Sequence, residues 1–281
     1  MLRQRVVTAV LLLLVLLPCL FYPSPEPFRA LALLFIAAGA WEWARLVAYG
    51  NAASFSVGVV CALTCVAAWW SGLLRESLLW LWIIAAVLWL AGGSWLLRGG
   101  VACWLRLPKL VRLLTGLLVL VLAWLAVAQA RAIGINFLLS VLSLVWVADI
   151  SAYGAGRTWG GRFTSGKLAP SISPGKSWEG VWGGMAGVVL LAFCWRWMDK
   201  LLQVSSPSLY SHFPEGRLWL MALAVVALAG MSVAGDLVES LIKRAAAVKD
   251  SSGLLPGHGG VLDRIDGLLP TLPMVMLLYS F

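Results

Sequence analysis

The sequence predicts an all-α polytopic integral membrane protein with about nine transmembrane helices. Three observations carry this. Of 281 residues, 62% are hydrophobic and only 12% charged, with a mean hydropathy of +0.93; a soluble domain averages about 25% charged residues. Nine stretches approach the roughly 20 apolar residues that a spanning helix needs, at 6–22, 28–47, 54–71, 77–97, 110–128, 133–149, 179–197, 217–235 and 266–281. The third observation is loop charge. With the N-terminus inside and the sides alternating, only Arg29, Arg75, Arg131, Arg196, Lys200 and Arg217 of the 21 bases fall outside. This is the asymmetry of the positive-inside rule, and it sets an N-in, C-out orientation.

The elements follow in order. Arg3 and Arg5 precede an apolar run that imitates a secretory signal, but no small-x-small cleavage site follows. It reads as a retained first helix. Leu16-Leu17-Pro18-Cys19 is a poor lipoprotein-type site, because Pro stands before the Cys. The stretch 54–71 is the weakest span. The last is interrupted by Pro270 and Pro273, which kink a helix unless neighbours satisfy the freed carbonyls. The 17 Trp suit interfacial anchors. Cys19, Cys61, Cys65, Cys103 and Cys194 form no C-x-x-C pair and read as small hydrophobes. No internal repeat or inverted pair of broken helices is visible, which argues against a secondary transporter. The net charge of +9 points to cytoplasmic loops and anionic ligands. No basic run is interleaved with aromatics outside the membrane, so nucleic acid is not an expected partner. Residues 1–130 are expected to form a scaffold. Residues 131–281 are expected to carry the chemistry, with polar loops 150–178 and 236–265 on the same cytoplasmic face.

The polar island from Gly235 to Asp266 is the most informative stretch. It holds Asp236, Glu239, Asp250, Asp263 and Asp266, with Lys243, Arg244, Lys249, Arg264 and His258 among them. Acids beside bases beside a Gly-rich turn suit a divalent cation and phosphate groups together, since magnesium takes one or two carboxylates plus phosphate oxygens. Lys, Arg and free backbone N–H groups hold the remaining phosphate charge. Residues 236–248 suit an amphipathic helix with Asp236, Ser240 and Lys243 on one face. Ser251-Ser252-Gly253 ends it. Glycines 257, 259 and 260 around His258 let backbone approach a ligand. Asp263 and Asp266 lie one helical turn apart at the start of the last span, where acids are also favourable for structural reasons alone.

A second polar stretch runs from Asp149 to Gly184. Pro170 and Pro174 bar a continuous helix through it. Ser173, Gly175, Lys176 and Ser177 offer hydroxyls, bare backbone and a cation, a phosphate cradle without P-loop spacing. Asp149 reads equally as a ligand or a helix cap. Glu42, in Trp41-Glu42-Trp43, is a buried-acid candidate, with an interfacial partner of Arg45 as the favoured reading.

The island resembles the signature of the phosphatidate cytidylyltransferase (CDP-diacylglycerol synthase) family. Ser240, Lys243, Arg244, Lys249, Asp250, His258, Gly259, Gly260, Asp263, Arg264 and Asp266 stand at matching spacing. Leu168-Ala169-Pro170, Ser173-Pro174-x-Lys176 and Trp178-Glu179-Gly180 resemble a second family motif, as do Asp149, Ala152-Tyr153 and the Trp-Glu-Trp of the second span. Ser177 departs from the usual Thr but keeps the hydroxyl. The resemblance implies transfer of CMP from CTP to phosphatidate, in a bacterial inner membrane, by a homodimer. It implies magnesium, with a second cation as a further expectation. Asp236 and Asp263 would hold the metal, with Asp266 and Asp250 as further ligands. Lys243, Arg244 and Lys249 would neutralise the triphosphate. Asp149, Ser173, Lys176, Ser177, Ser240, Gly259, Gly260 and Arg264 would bind substrate, and His258 would donate to a phosphate oxygen. The competing readings are a CTP-dependent polyprenol kinase or transferase and a transporter of an anionic solute.

Overall fold

The computed structural model describes residues 2–281, without the side chains at 2, 3 and 5. The inside charges expected at Arg3 and Arg5 therefore lie outside the described side chains. The chain is almost wholly helical: α1 (Leu2–Phe21), α2 (Glu26–Leu46), α3 (Asn51–Trp70), α4 (Leu79–Val87), α5 (Ser94–Arg106), α6 (Lys109–Ile133), α7 (Ile135–Trp159), α8 (Trp178–Leu201), α9 (Leu218–Ala245), α10 (Leu262–Ile265) and α11 (Leu268–Tyr279). A π-helical segment, Leu88–Gly93, joins α4 to α5, and Gly100 breaks α5 with φ 65°.

Six described helices are long and apolar enough to cross a membrane: Asn51–Trp70, Leu79–Arg106, Lys109–Ile133, Ile135–Trp159, Trp178–Leu201 and Glu215–Ala245. The other three expected spans fall on α1, α2 and α11. Of these, α1 carries the shorter apolar stretch Val6–Phe21, and α11 is 12 residues long with Pro273 inside it.

Two expectations about the polar loops need correction. The loop placed at 150–178 begins only after Trp159, because α7 continues ten residues beyond Asp149. The small residues that look like loop punctuation are helix-packing residues. Among them, Ala148, Ser151 and Ala155 face Gly184, Gly187 and Gly183 of α8. A Cβ on Gly184 would lie 2.9 Å from the Ala148 carbonyl oxygen. Such small-residue seams let two helix backbones approach closely in a bilayer. Second, the stretch 217–248 is not a span followed by a separate amphipathic helix. A single helix, α9, runs to Ala245, so the polar face bearing Asp236, Ser240 and Lys243 extends one buttressed element. The remaining loop carries a short hairpin. β1 (Lys167–Ala169) pairs antiparallel with β2 (Ser173–Ser177), in register Lys167↔Ser177 and Ala169↔Ser173. Pro170 falls in their turn, and Ile172 is buried beneath it.

The core sits where α2, α6, α7 and α11 converge, with Trp124, Phe137, Leu120 and Leu138 fully buried. Trp43 packs on Gly116 of α6 and donates from Nε1 to the Arg112 carbonyl at 2.9 Å. That contact fixes α2 against α6 and places the neighbouring residue, Glu42, inside the bundle.

Replacing Gly184 by Val drives a side chain into backbone that has no room to yield. Overpacking of this kind costs about 1–3 kcal/mol. The expected outcome is a lower unfolding midpoint in detergent, read by tryptophan fluorescence; an unchanged midpoint would show that the α7–α8 seam is loose.

Candidate active site

The site is assembled at one end of the bundle, where the 160–177 loop meets the end of α9 and the 246–261 loop. Glu42 organises the second of these loops. Its carboxylate is fully buried. It accepts from the backbone N–H groups of Val261 (2.9 Å) and Leu262 (2.7 Å), and from the hydroxyls of Ser251 (3.1 Å) and Ser252 (2.5 Å). The expected pairing with Arg45 does not occur. Arg45 is exposed and stacks over Trp41, 4.8 Å from the ring centre. One buried acid thus caps α10 and closes the loop on it.

Asp263 performs the second closure. One oxygen accepts from Lys243 Nζ at 2.5 Å; the other accepts from Ser251 N (2.9 Å), Ser251 Oγ (2.8 Å) and Gly260 N (2.8 Å). Burial alone would raise its pKa, but the Lys243 ammonium and the two backbone donors outweigh burial and hold it below the ordinary carboxylate value. Lys243 also forms a 2.5 Å ion pair with buried Glu239, at an angle that makes no hydrogen bond. The glycines beside His258 serve this loop more than a ligand. Gly259 has φ 83°, and a Cβ on Gly260 would lie 2.0 Å from Ser251 Oγ and 2.5 Å from a Glu42 oxygen.

A polar cavity of about 480 Å³ opens beside this network, lined by Asp149 and Tyr153 of α7, Lys176 and Ser177 of β2, and Asp236 of α9. Lys176 Nζ pairs with Asp236 at 2.5 Å, and Ser240 Oγ donates to the other Asp236 oxygen at 3.2 Å. Asp266 stands near enough to Asp149 and Asp236 to feel both charges, with Lys176 offsetting them. It gets there because Gly235 has no side chain: a Cβ would meet the Asp266 carbonyl at 2.3 Å. Asp149 is in the interior of α7 and so is not a helix cap. Arg157 lines the same cavity and donates to Tyr153 Oη at 3.0 Å.

The structure therefore divides the expected residues. Asp149, Lys176, Ser177 and Asp236 line the cavity, with Asp266 close by. Asp263, Lys243, Gly259 and Gly260 form the loop network. Arg244 donates to the Ile172 carbonyl (3.2 Å) and the Val248 carbonyl (3.1 Å), so it clamps the hairpin to the end of α9. Arg264 donates twice to the His258 carbonyl, at 3.1 and 2.7 Å. His258 Nδ1 is buried without a protein partner. Ser177 Oγ accepts from Gly180 N at 3.2 Å and is the N-cap of α8. Ser173 opens β2. Lys249 and Asp250 are exposed and outside the cavity.

Two acids that hold loops were missed in their structural role. Glu179 accepts from Phe163 N, Thr164 N and Thr164 Oγ1, which fixes the 160–166 turn. Glu42 is the other, and its signal was present: an acid inside an apolar span defaults to a specific buried partner.

The comparisons decide the family. Residues 3–281 match the sequence profile described as the cytidylyltransferase family. The chain belongs to that family. It is similar to a phosphatidate cytidylyltransferase of Pseudomonas aeruginosa, 37% identical over 287 residues, covering 98% of this chain and 95% of the relative. A phosphatidate cytidylyltransferase of Haemophilus influenzae is 36% identical over 301 residues, with 100% and 99% covered. The protein of that name from Thermotoga maritima is 41% identical over 151 residues, 53% of this chain and 51% of the relative.

In this member of the cytidylyltransferase family, removing the Glu42 carboxylate orphans three donors, the N–H groups of Val261 and Leu262 and the Ser252 hydroxyl, while Ser251 Oγ keeps Asp263 as its acceptor. An unpaired buried donor costs about 1–3 kcal/mol. Glu42→Ala should lower the unfolding midpoint and speed protease cleavage within 246–261, with Glu42→Gln in between. Cleavage at the wild-type rate in both would mean that the loop is held elsewhere.

Proposed function

We propose that the chain transfers the cytidylyl group of CTP to phosphatidate, giving CDP-diacylglycerol and pyrophosphate. The observation that carries this reading is the polar cavity, where Lys176 and Arg157 face Asp149 and Asp236 at the end of a membrane-type bundle. Family membership and near full-length relatives named for the same reaction support it. Those relatives favour phosphatidate over a polyprenol acceptor.

The chemistry needs little from the protein beyond placement. A phosphate-monoester oxygen of phosphatidate is largely ionised near neutral pH, so no strong base is required. That oxygen attacks the α-phosphorus of CTP, a new P–O bond forms, and the bond to pyrophosphate breaks. The barrier lies in bringing two polyanions together in line. Lys176 and Arg157 are placed to offset the phosphate charge. Ser177 caps α8, so the helix N-terminus points positive partial charge toward the same cavity. His258 Nδ1 has no protein partner but is buried outside the cavity lining, so a direct bond to phosphate would require the His258 turn to move.

The donor set also fits magnesium. Among the described residues no group of three or more acidic, His or Cys side chains forms a ready metal cage, but magnesium binds through one or two carboxylates plus substrate phosphates. Asp236 is the expected ligand that faces the cavity, with Asp266 and Asp149 beside it. Asp263 is occupied by four donors, and its part in metal binding would be to orient the loop. When bound, the ion draws charge from the phosphoryl oxygens as a Lewis acid. A second cation would share the same acids.

We place nine crossings in a bacterial inner membrane, with the N-terminus and both polar loops in the cytoplasm, where CTP is available. A homodimer is the proposed assembly.

The test uses purified protein with phosphatidate and CTP labelled either in the cytosine ring or at the γ-phosphate. Ring label should enter the lipid and γ-label should leave as pyrophosphate. Lipid that gains γ-label instead would replace this reading with a kinase. Asp236→Asn should lower kcat by roughly 10²–10³, the usual scale for one preorganised electrostatic group, while the unfolding midpoint stays near that of the wild type.

A further inference from the structure

A second cavity lies further along the same face of α7 as the polar one, and the proposed reaction as derived above leaves it unused. It measures about 320 Å³ and is bounded by α1, α2, α6, α7 and α11. Leu12, Leu16, Phe35, Trp146 and Leu272 typify its walls. Arg264 is the single charged residue among them.

Its position relative to the polar cavity is set by two short segments. Trp146 lines the apolar groove and Asp149, three residues on along α7, lines the polar cavity. Arg264 lines the groove, while Asp266 shares the charge field of Asp149 and Asp236. Arg264 also lies within the electrostatic reach of Asp149. The two cavities are therefore separated by a ridge about one helical turn wide, with a guanidinium on it. From Arg264 to Leu272 the groove descends roughly 12 Å by the helical rise.

We infer that this groove seats one acyl chain of the lipid substrate, with Arg264 on the lipid phosphate at its mouth. The inference rests on the reading of the protein as a phosphatidate cytidylyltransferase. Two Arg264 donors are committed to the His258 carbonyl, and the rest of the fork remains for an anion. A lipid lying here has its head on the ridge and its phosphate next to the polar cavity. Bilayer tails are as apolar as the groove wall, so burial of a chain supplies little net attraction. The groove aligns the lipid, and Arg264 selects for an anionic head. The outer wall is α1, which packs chiefly on α2. At its loop end, Thr8 Oγ1 donates to the Pro256 carbonyl at 2.9 Å. That bond ties the groove wall to the loop that Glu42 and Asp263 close.

The experiment fills the groove. Leu16→Trp and Ala32→Phe add bulk from α1 and α2, and Leu34→Trp, at a position 64% exposed and outside the groove, is the control. The full-length protein is assayed with dioleoyl and with dibutyryl phosphatidate. Groove filling should lower kcat/KM for the dioleoyl lipid at least tenfold, while KM for CTP and turnover of the dibutyryl lipid stay within twofold. Leu34→Trp should match the wild type. Equal losses on both lipids, or no loss on either, would overturn the inference. If the wild type forms no CDP-diacylglycerol from either lipid, the reading of the reaction fails, and the groove is then judged by labelling. Phosphatidate carrying a diazirine midway along one chain should label α1, α2 and α11 peptides, and excess unlabelled phosphatidate should suppress this. Labelling spread over all lipid-facing helices, as with a phosphatidylcholine probe, would overturn it.

Discussion

One carboxylate inside the bundle governs the loop side of this protein. Glu42 is the meeting point of an N-terminal helix and a loop more than 200 residues away in sequence. An acid at such depth is costly unless its charge is met by donors. Here two backbone N–H groups and two hydroxyls meet it, and every one belongs to the 251–262 segment. The cost of burial therefore becomes a constraint: the loop has to fold back over α2, or the charge is left bare. Asp263 repeats the device one layer out, with Lys243 as its counter-ion. Together they hold the 251–262 segment against α2 and the end of α9.

The polar groups thus act in two tiers. The inner tier, Glu42, Asp263 and Lys243, is saturated by the protein itself and shapes a loop, and Glu179 holds the 160–166 turn through one of its two oxygens. The outer tier, Asp149, Lys176 and Asp236, faces a cavity and keeps capacity for a ligand. Electrostatic preorganisation requires this division, because a group that moves to reach its substrate gives back part of what it supplies.

Much of this was legible in the sequence. Low charge and membrane-length apolar runs gave the class of fold, and the dense Ser240–Asp266 pattern gave the family. Lys176 and Asp236, assigned from different polar stretches, do meet. Other features were hidden for physical reasons. Ser151, Gly154 and Gly156 have loop-like composition, but a bilayer rewards small residues where helices touch, so α7 continues through them. Asp263 and Asp266 are one turn apart in sequence, yet they enter separate networks, because Lys243, Ser251 and Gly260 take Asp263 while Asp266 lies towards Asp149 and Asp236. Glu42 was visible as an acid in a span, but Arg45 offered a nearer partner than any that a linear reading places beside it.

The hairpin of β1 and β2 is joined to α9 through only two polar contacts among those described, Lys176 to Asp236 and Arg244 to the Ile172 carbonyl. Lys176 neutralises Asp236, the acid proposed above as the cation ligand. On the function proposed above, phosphate would take Lys176 and a cation would take Asp236, so the pair would exchange partners without losing an ion pair. As an ion pair the two side chains present little net charge to stray ions at the edge of a bilayer, and a ligand bearing both signs of charge is the kind that could replace both partners at once.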